Sequence, residues 1–164
     1  MDLLFEHIVP RDLALVEATL LSRGFALALA SSCPALAGAR GVDYASEGDA
    51  VERVTWFRAM PDSLGELFVL LPAITWIERV RWSREAHSGR FEVAPELPLP
   101  MARRVRCEGT YSLEPAADGT TLRRVEIALS IRAPLVARAA EQRLAGMLRT
   151  IFDTEAALLA QGIE

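Results

Sequence analysis

Lysine is missing from the chain altogether, so all 18 basic residues are arginine. Beside the abundant alanine, that absence reflects coding bias, although an arginine buried in a pocket can still hold an acid group. Against 22 acidic residues the arginines leave a formal charge of -4 and no basic run. Nucleic acid and an anionic membrane surface are thereby excluded as main partners. Cysteine is scarce, and Cys33 and Cys107 are expected to be reduced, buried thiols rather than a disulfide or a metal site. The only histidines, His7 and His87, have no second His or Cys at metal-ligand spacing, so no metal is expected. The longest apolar run, Leu67 to Ile77, is broken by Pro72 and is too short to span a bilayer. The chain opens Met1-Asp2 and alternates at once, without a basic region and an apolar core. No signal peptide and no integral membrane association are expected, and a cytoplasmic location follows. A Gly-rich phosphate loop, a dinucleotide fingerprint, Gly-x-Ser-x-Gly and a Cys/His pair with a third member are all missing. No cofactor is therefore expected, and nucleotide and acyl-transfer chemistry lose ground.

What the chain does have is apolar content, 51% over 164 residues, enough for one domain, 1–164, with a full core. Its last stretch, Pro134 to Gln161, carries Val136, Ala140, Leu144, Met147, Leu148, Ile151, Leu158 and Leu159 on one face at 100° per residue. Arg138, Gln142, Arg149 and Asp153 fall opposite. Pro134 suits a first helical turn and Gly162 a stop. The stripe is wider than a coiled-coil seam, so the helix is expected to lie on the protein's own sheet.

Upstream, most segments alternate. Asp2 to Val9 reads as a strand ended by Pro10, and Arg11 to Leu21 and Phe25 to Ala30 as two short helices divided by Gly24. Gly38 to Ser46 and Ala50 to Met60 flank the hairpin turn Glu47-Gly48-Asp49. Ser63 to Leu71 has the spacing of a capped short helix before Pro72. Ala73 to Arg84 places Ile74, Trp76, Glu78, Val80 and Trp82 on one face. Arg90 to Ala94 follows, then a stiff loop with Pro95, Pro98 and Pro100. Arg103 to Glu114 and Thr121 to Arg132 form a last hairpin, with Val105, Cys107, Tyr111, Leu113, Val125, Ile127, Leu129 and Ile131 inward. The sum is an α+β fold: one strand, two short helices, six strands and a long helix, with the helices on one face of an antiparallel sheet.

Several local features carry a resemblance beyond this order. They are Met60-Pro61 closing a strand, Glu78 to Trp82 in the next, and Glu108-Gly109-Thr110-Tyr111 running to Asp118-Gly119-Thr120-Thr121. The last is Ile131 to Val136, a strand that reaches Ala133-Pro134-Leu135-Val136 and then a helix. With these features the chain resembles the START-like superfamily, also called SRPBCC or the helix-grip fold. Plant pollen-allergen proteins, lipid-transfer START domains and polyketide aromatase/cyclases belong to it, and the likeness here is to a bacterial branch of unknown function. Relatives often carry a Gly-rich junction after Pro-Leu-Val, where this chain has Ala137-Arg138-Ala139-Ala140. The resemblance implies a seven-stranded curved antiparallel sheet gripping the long C-terminal helix, with an apolar cavity between them for a hydrophobic small molecule.

The natural lining of such a cavity is Phe25, Trp76, Trp82, Tyr111, Met147, Ile151 and Phe152, although for any one of them ordinary core packing is the first expectation, since large apolar groups usually go inside. Glu78 on its aromatic strand face and Glu155 near the apolar stripe can orient a ligand hydroxyl or act as general acid or base. Otherwise Glu78 pairs with an arginine at the cavity rim and Glu155 reaches solvent. His7 shares a face with Phe5 and either meets Tyr111 in the cavity or, the reading favoured for such a residue, is a satisfied structural histidine; His87, in a turn, is expected to be solvated. Arg104, Arg106 and Arg124 on the outer sheet face could bind an acidic partner, but interleaved with Glu108 and Glu126 they read rather as a salt-bridged surface. Three functions fit: carriage of a lipid, polyketide or aromatic metabolite; an aromatase/cyclase-like or dehydratase enzyme using the same cavity; and a protein-partner module with a filled core. A homodimer through the outer sheet face or an edge strand is open.

Overall fold

The structure, a computed structural model, describes residues 1–64, 74–133 and 135–163. Seven strands form one sheet in which every neighbouring pair is antiparallel: β1 (Asp2–Val9), β2 (Leu36–Glu47), β3 (Ala50–Ala59), β4 (Thr75–Ser83), β5 (Ser88–Pro95), β6 (Val105–Pro115) and β7 (Thr121–Ile131). Their order, β1-β7-β6-β5-β4-β3-β2, puts the first two strands at opposite edges. The helices α1 (Leu13–Leu20) and α2 (Phe25–Ser32) connect those edges. α2 ends at Cys33, whose backbone is extended ahead of Pro34, as sterics before proline require.

Two features shape the sheet beneath α4 (Ala137–Gln161), an irregular β2 and a close ring–backbone contact at Gly109. β2 loses register with β3 between Leu36 and Gly38 and again between Ala39 and Gly41, and such bulges increase twist and curl. Farther across, Gly109 lets the Phe91 ring lie against the β6 backbone. A Cβ there would stand 2.6 Å from that ring and 2.2 Å from the Glu126 carbonyl oxygen. Phe91 in turn stacks on Tyr111 at 4.9 Å between centroids, and Phe152 of α4 approaches Tyr111 at 6.0 Å. Helix and sheet thus meet through aromatic rings.

The expected α+β helix-grip arrangement is the one observed, with three local differences. α4 begins at Ala137 rather than Pro134; Val136 is its N-cap and Leu135 takes a left-handed backbone with φ 72°. The Glu141 carboxylate accepts the Ile131 N–H at 3.0 Å and ties the end of β7 to the first turns of the helix. The proline-rich loop after β5 contains one helical turn, α3 (Leu99–Ala102); Pro100 falls near its start, where a missing N–H is tolerated. A 3-10 turn at Pro61–Leu64 opens the segment read as a capped helix, and the rest of that reading, to Leu71, lies outside the described residues. No single helix among the described residues is long and apolar enough to cross a membrane.

Candidate functional site

A cavity of about 490 Å³ lies between the concave sheet face and α4. Strand alternation supplies its floor, because Trp76 and Glu78 of β4, Phe91 and Val93 of β5, Cys107 and Tyr111 of β6, and Leu129 and Ile131 of β7 all point inward. Its roof is the α4 stripe from Ala140 through Leu144, Met147, Leu148, Ile151 and Phe152 to Glu155. Helical spacing brings those residues to one side. Leu159, one turn farther on, is fully buried in the solid core. The cavity therefore follows about the first three-quarters of the helix and closes where Glu155 meets the sheet.

One polar patch interrupts the apolar floor. Glu78, Val93, Cys107 and Leu129 stand in one register row across β4, β5, β6 and β7. Glu78 is largely buried, and its Oε1 accepts a hydrogen bond from Arg53 Nη2 at 3.4 Å. Arg53 is held from its other side by the Leu20 carbonyl at 2.9 Å and lies over the Phe25 ring. Burial pushes the Glu78 carboxyl above its ordinary 4.5, more strongly than the Arg53 charge and hydrogen bond pull it down. Burial also pushes the Cys107 thiol up to about 12, with Glu78 and Glu108 adding to the effect, so it is a neutral wall group rather than a thiolate nucleophile. The Tyr111 hydroxyl is raised by burial and by Glu78, against the pull of Arg123 and Arg53; it remains a proton donor.

The raised Glu78 carboxyl has a definite consequence for stability. The folded state holds its proton more tightly than the unfolded chain does. The resulting stabilisation is fully present below the unfolded value and is lost as pH rises through the raised folded one. Relative to the neutral Glu78→Gln variant, the wild type is expected to lose stability as pH climbs from below 4.5. Urea denaturation of both proteins across that range checks this; a gap that does not move with pH contradicts it.

The closed end is a buried ionic cluster. Arg123 of β7 and Glu155 of α4 form an ion pair, with side chains 0% and 2% exposed. The guanidinium also lies over Tyr111 at 5.6 Å and Phe152 at 5.4 Å from the ring centroids. Its Nη1 is 3.1 Å from His7 Nδ1, and His7 Nε2 is 2.9 Å from Asp153 Oδ1. Because an arginine only donates, His7 Nδ1 accepts, and the imidazole proton sits on Nε2 and is donated to Asp153. Burial pulls Arg123 down to about 10, opposed by Tyr111 and Asp153, and it is still a cation at neutral pH.

The other end is the mouth. Met101 is 45% exposed and Val136 43% exposed, yet both line the cavity, and Leu135 beside them is fully exposed. Arg104 joins them, exposed at the rim before β6 begins, its carbonyl accepting the Arg132 N–H at 2.8 Å. This corrects the placement of Arg104 on the outer sheet face. Arg106 and Arg124 do belong to that face, the first paired with Glu108 and the second with Glu6 at 2.9 Å and Glu114 at 3.4 Å.

Of the residues expected at the cavity, Trp76, Glu78, Tyr111, Met147, Ile151, Phe152 and Glu155 line it together. Phe25 and Trp82 do not: both are buried in the solid core, and Trp82 Nε1–H donates to Glu17 of α1 at 2.9 Å. His7 meets Arg123 and Asp153 rather than the cavity. His87 is only partly solvated, since its Nδ1 lies 3.0 Å from the same Glu17 oxygen. Glu155 does not reach solvent. Arg53 and Arg123 went unnoticed in the sequence, although parity flags them. Arg53 shares the inward parity of Val51, Thr55 and Phe57, and Arg123 that of Thr121, Val125 and Ile127. Among the described residues no three His, Cys, Asp or Glu side chains form a group that could hold a metal.

Solved structures share this architecture at low sequence identity. Norcoclaurine synthase from Thalictrum flavum superposes with a TM-score of 0.65 at 14% identity, covering 96% of this chain and 85% of its own. Ara h 8.0201 gives 0.64 at 13% identity, covering 99% of each chain. The Zhui aromatase/cyclase from Streptomyces sp. R1128 gives 0.63 at 14%, covering 98% and 92%. No protein of curated function matches the sequence. Residues 5–163 match the family described as a protein of unknown function, DUF2505. The chain belongs to that family, and its fold is the START-like helix grip.

Proposed function

We propose that this protein binds and carries a hydrophobic small molecule, a lipid, a polyketide or an aromatic metabolite, beneath α4. The observation that carries the reading is the cavity itself. About 490 Å³ of space is walled by Trp76, Phe57, Leu129, Leu144, Met147 and Ile151 among others, with few polar groups. That volume suits one small ligand, and each Å² of apolar surface transferred from water contributes about 25 cal/mol. Methionine and aromatic walls adapt to varied apolar shapes. A fluorophore that brightens in apolar surroundings is expected to bind saturably at one site per chain and to be displaced by a medium-chain lipid. Absence of saturable binding contradicts the reading.

A second reading rests on the patch at Glu78 and Tyr111. A carboxyl raised by burial and a neutral phenol, both facing an apolar cavity, can pass a proton to and from a bound polyketide, as an aromatase/cyclase-like or dehydratase reaction requires. One of the similar solved structures is itself an aromatase/cyclase. Glu78→Gln separates the two readings: turnover lost with binding kept favours chemistry, and no turnover in the wild type favours carriage. An open cavity speaks against the partner module with a filled core.

A further inference from the structure

Building on the carrier reading, we infer that the ligand is an anionic amphiphile whose oxoacid head sits at Arg104 while its apolar tail fills the cavity. Among the described residues, Arg53, Arg123 and Arg104 stand on or beside the cavity side of the sheet, and the first two are each already paired with a carboxylate. Arg53 is spent on Glu78 and the Leu20 carbonyl, and Arg123 on Glu155. Arg104, the one cation lining the cavity, has no carboxylate within ion-pair distance among the described residues, and its side chain makes no described hydrogen bond. It stands at the mouth, flanked by the exposed apolar side chains Met101 and Val136. A guanidinium there offers a planar fork that matches a carboxylate or phosphate.

Charge also fixes which way such a ligand enters. The carboxyls that face the interior are Glu78 and Glu155, each next to an arginine that it already engages. An anion pushed inward would lose its hydration and meet the Glu78 and Glu155 carboxyls, a costly arrangement. Tail-first entry leaves the head half in water at Arg104 and buries the tail against Leu129, Leu144 and Met147. Specificity then comes from a charge at the rim and affinity from apolar area.

The test compares lauric acid, lauryl phosphate and lauryl alcohol on the full chain by displacement of an apolar fluorophore at low salt and neutral pH. Wild type is expected to prefer the anions over the alcohol by roughly fivefold, the size of a well-placed exposed ion pair, with the preference shrinking as salt is added. In Arg104→Gln the ratio of anion to alcohol affinity falls to near one, and in Arg104→Lys part of it returns. The tighter of the two anions identifies the head group, carboxylate or phosphate. Equal affinity for all three ligands in the wild type, or a ratio that survives Arg104→Gln, overturns the inference and leaves the carrier reading standing. Failure of all three ligands to bind removes both.

Discussion

Glu155→Ala is expected to unfold at a much lower urea concentration than the wild type, losing on the order of 3 to 5 kcal/mol, because it strands the Arg123 cation in the interior. The guanidinium is fully buried, and its remaining partners are His7 and two aromatic faces. None of these supplies a negative charge, and Asp153 is reached through His7. Arg123→Met should cost a similar amount by stranding the carboxylate. The double variant Arg123→Met/Glu155→Leu should regain most of the loss, since two apolar side chains of comparable bulk leave no buried charge unpaired. Midpoints at a constant denaturant slope report these differences. Single variants within about 1 kcal/mol of the wild type would show the pair to be solvated, in conflict with its burial.

The second large effect is on binding. Ala140 lines the cavity from the first turns of α4 and is buried. Ala140→Phe places a ring in the empty space, so affinity for an apolar fluorophore should fall at least tenfold, a change of about 1.4 kcal/mol. Stability should shift by less than about 1.5 kcal/mol, because the added volume enters a void instead of a filled core. Leu159→Ala is the contrast. Leu159 lies one turn past the cavity's closed end and is fully buried, so its truncation should cost about 2 to 5 kcal/mol of stability. The fluorophore affinity of the folded protein should stay unchanged. If Ala140→Phe destabilised as Leu159→Ala does, the space beneath α4 would be packed rather than open.

Much of this arrangement is legible in the residues. Alternation in Trp76, Glu78, Val80 and Trp82 assigns the inward face of β4, and helical spacing assigns Met147, Ile151 and Glu155 to the inward face of α4. Periodicity does not say where a straight helix lifts off a curved sheet. Trp76 and Trp82 carry the same signal, yet one lines the cavity and the other is covered by α1 through Glu17. Phe25, on α2, is fully buried with Arg53 over its ring, away from the cavity lining. Arg53 and Arg123 show the opposite limit. Strand parity places both inward, and a charged residue in that position needs a buried partner of opposite charge. Once Glu78 and Glu155 are seen to face inward, two inward arginines are the partners they require. The late start of α4 follows from the junction. Leu135 adopts the positive φ that a glycine would take more readily, and helical geometry begins only at Ala137.

The central claim is that the space beneath α4 holds an apolar ligand, and native mass spectrometry of the full chain after exposure to a bacterial lipid extract tests it most directly. The account predicts a complex one small molecule heavier than the 18.0 kDa chain, with that molecule released as an apolar amphiphile on denaturation and absent from Ala140→Phe. A wild-type spectrum showing only the bare chain, or equal uptake by wild type and Ala140→Phe, would contradict it.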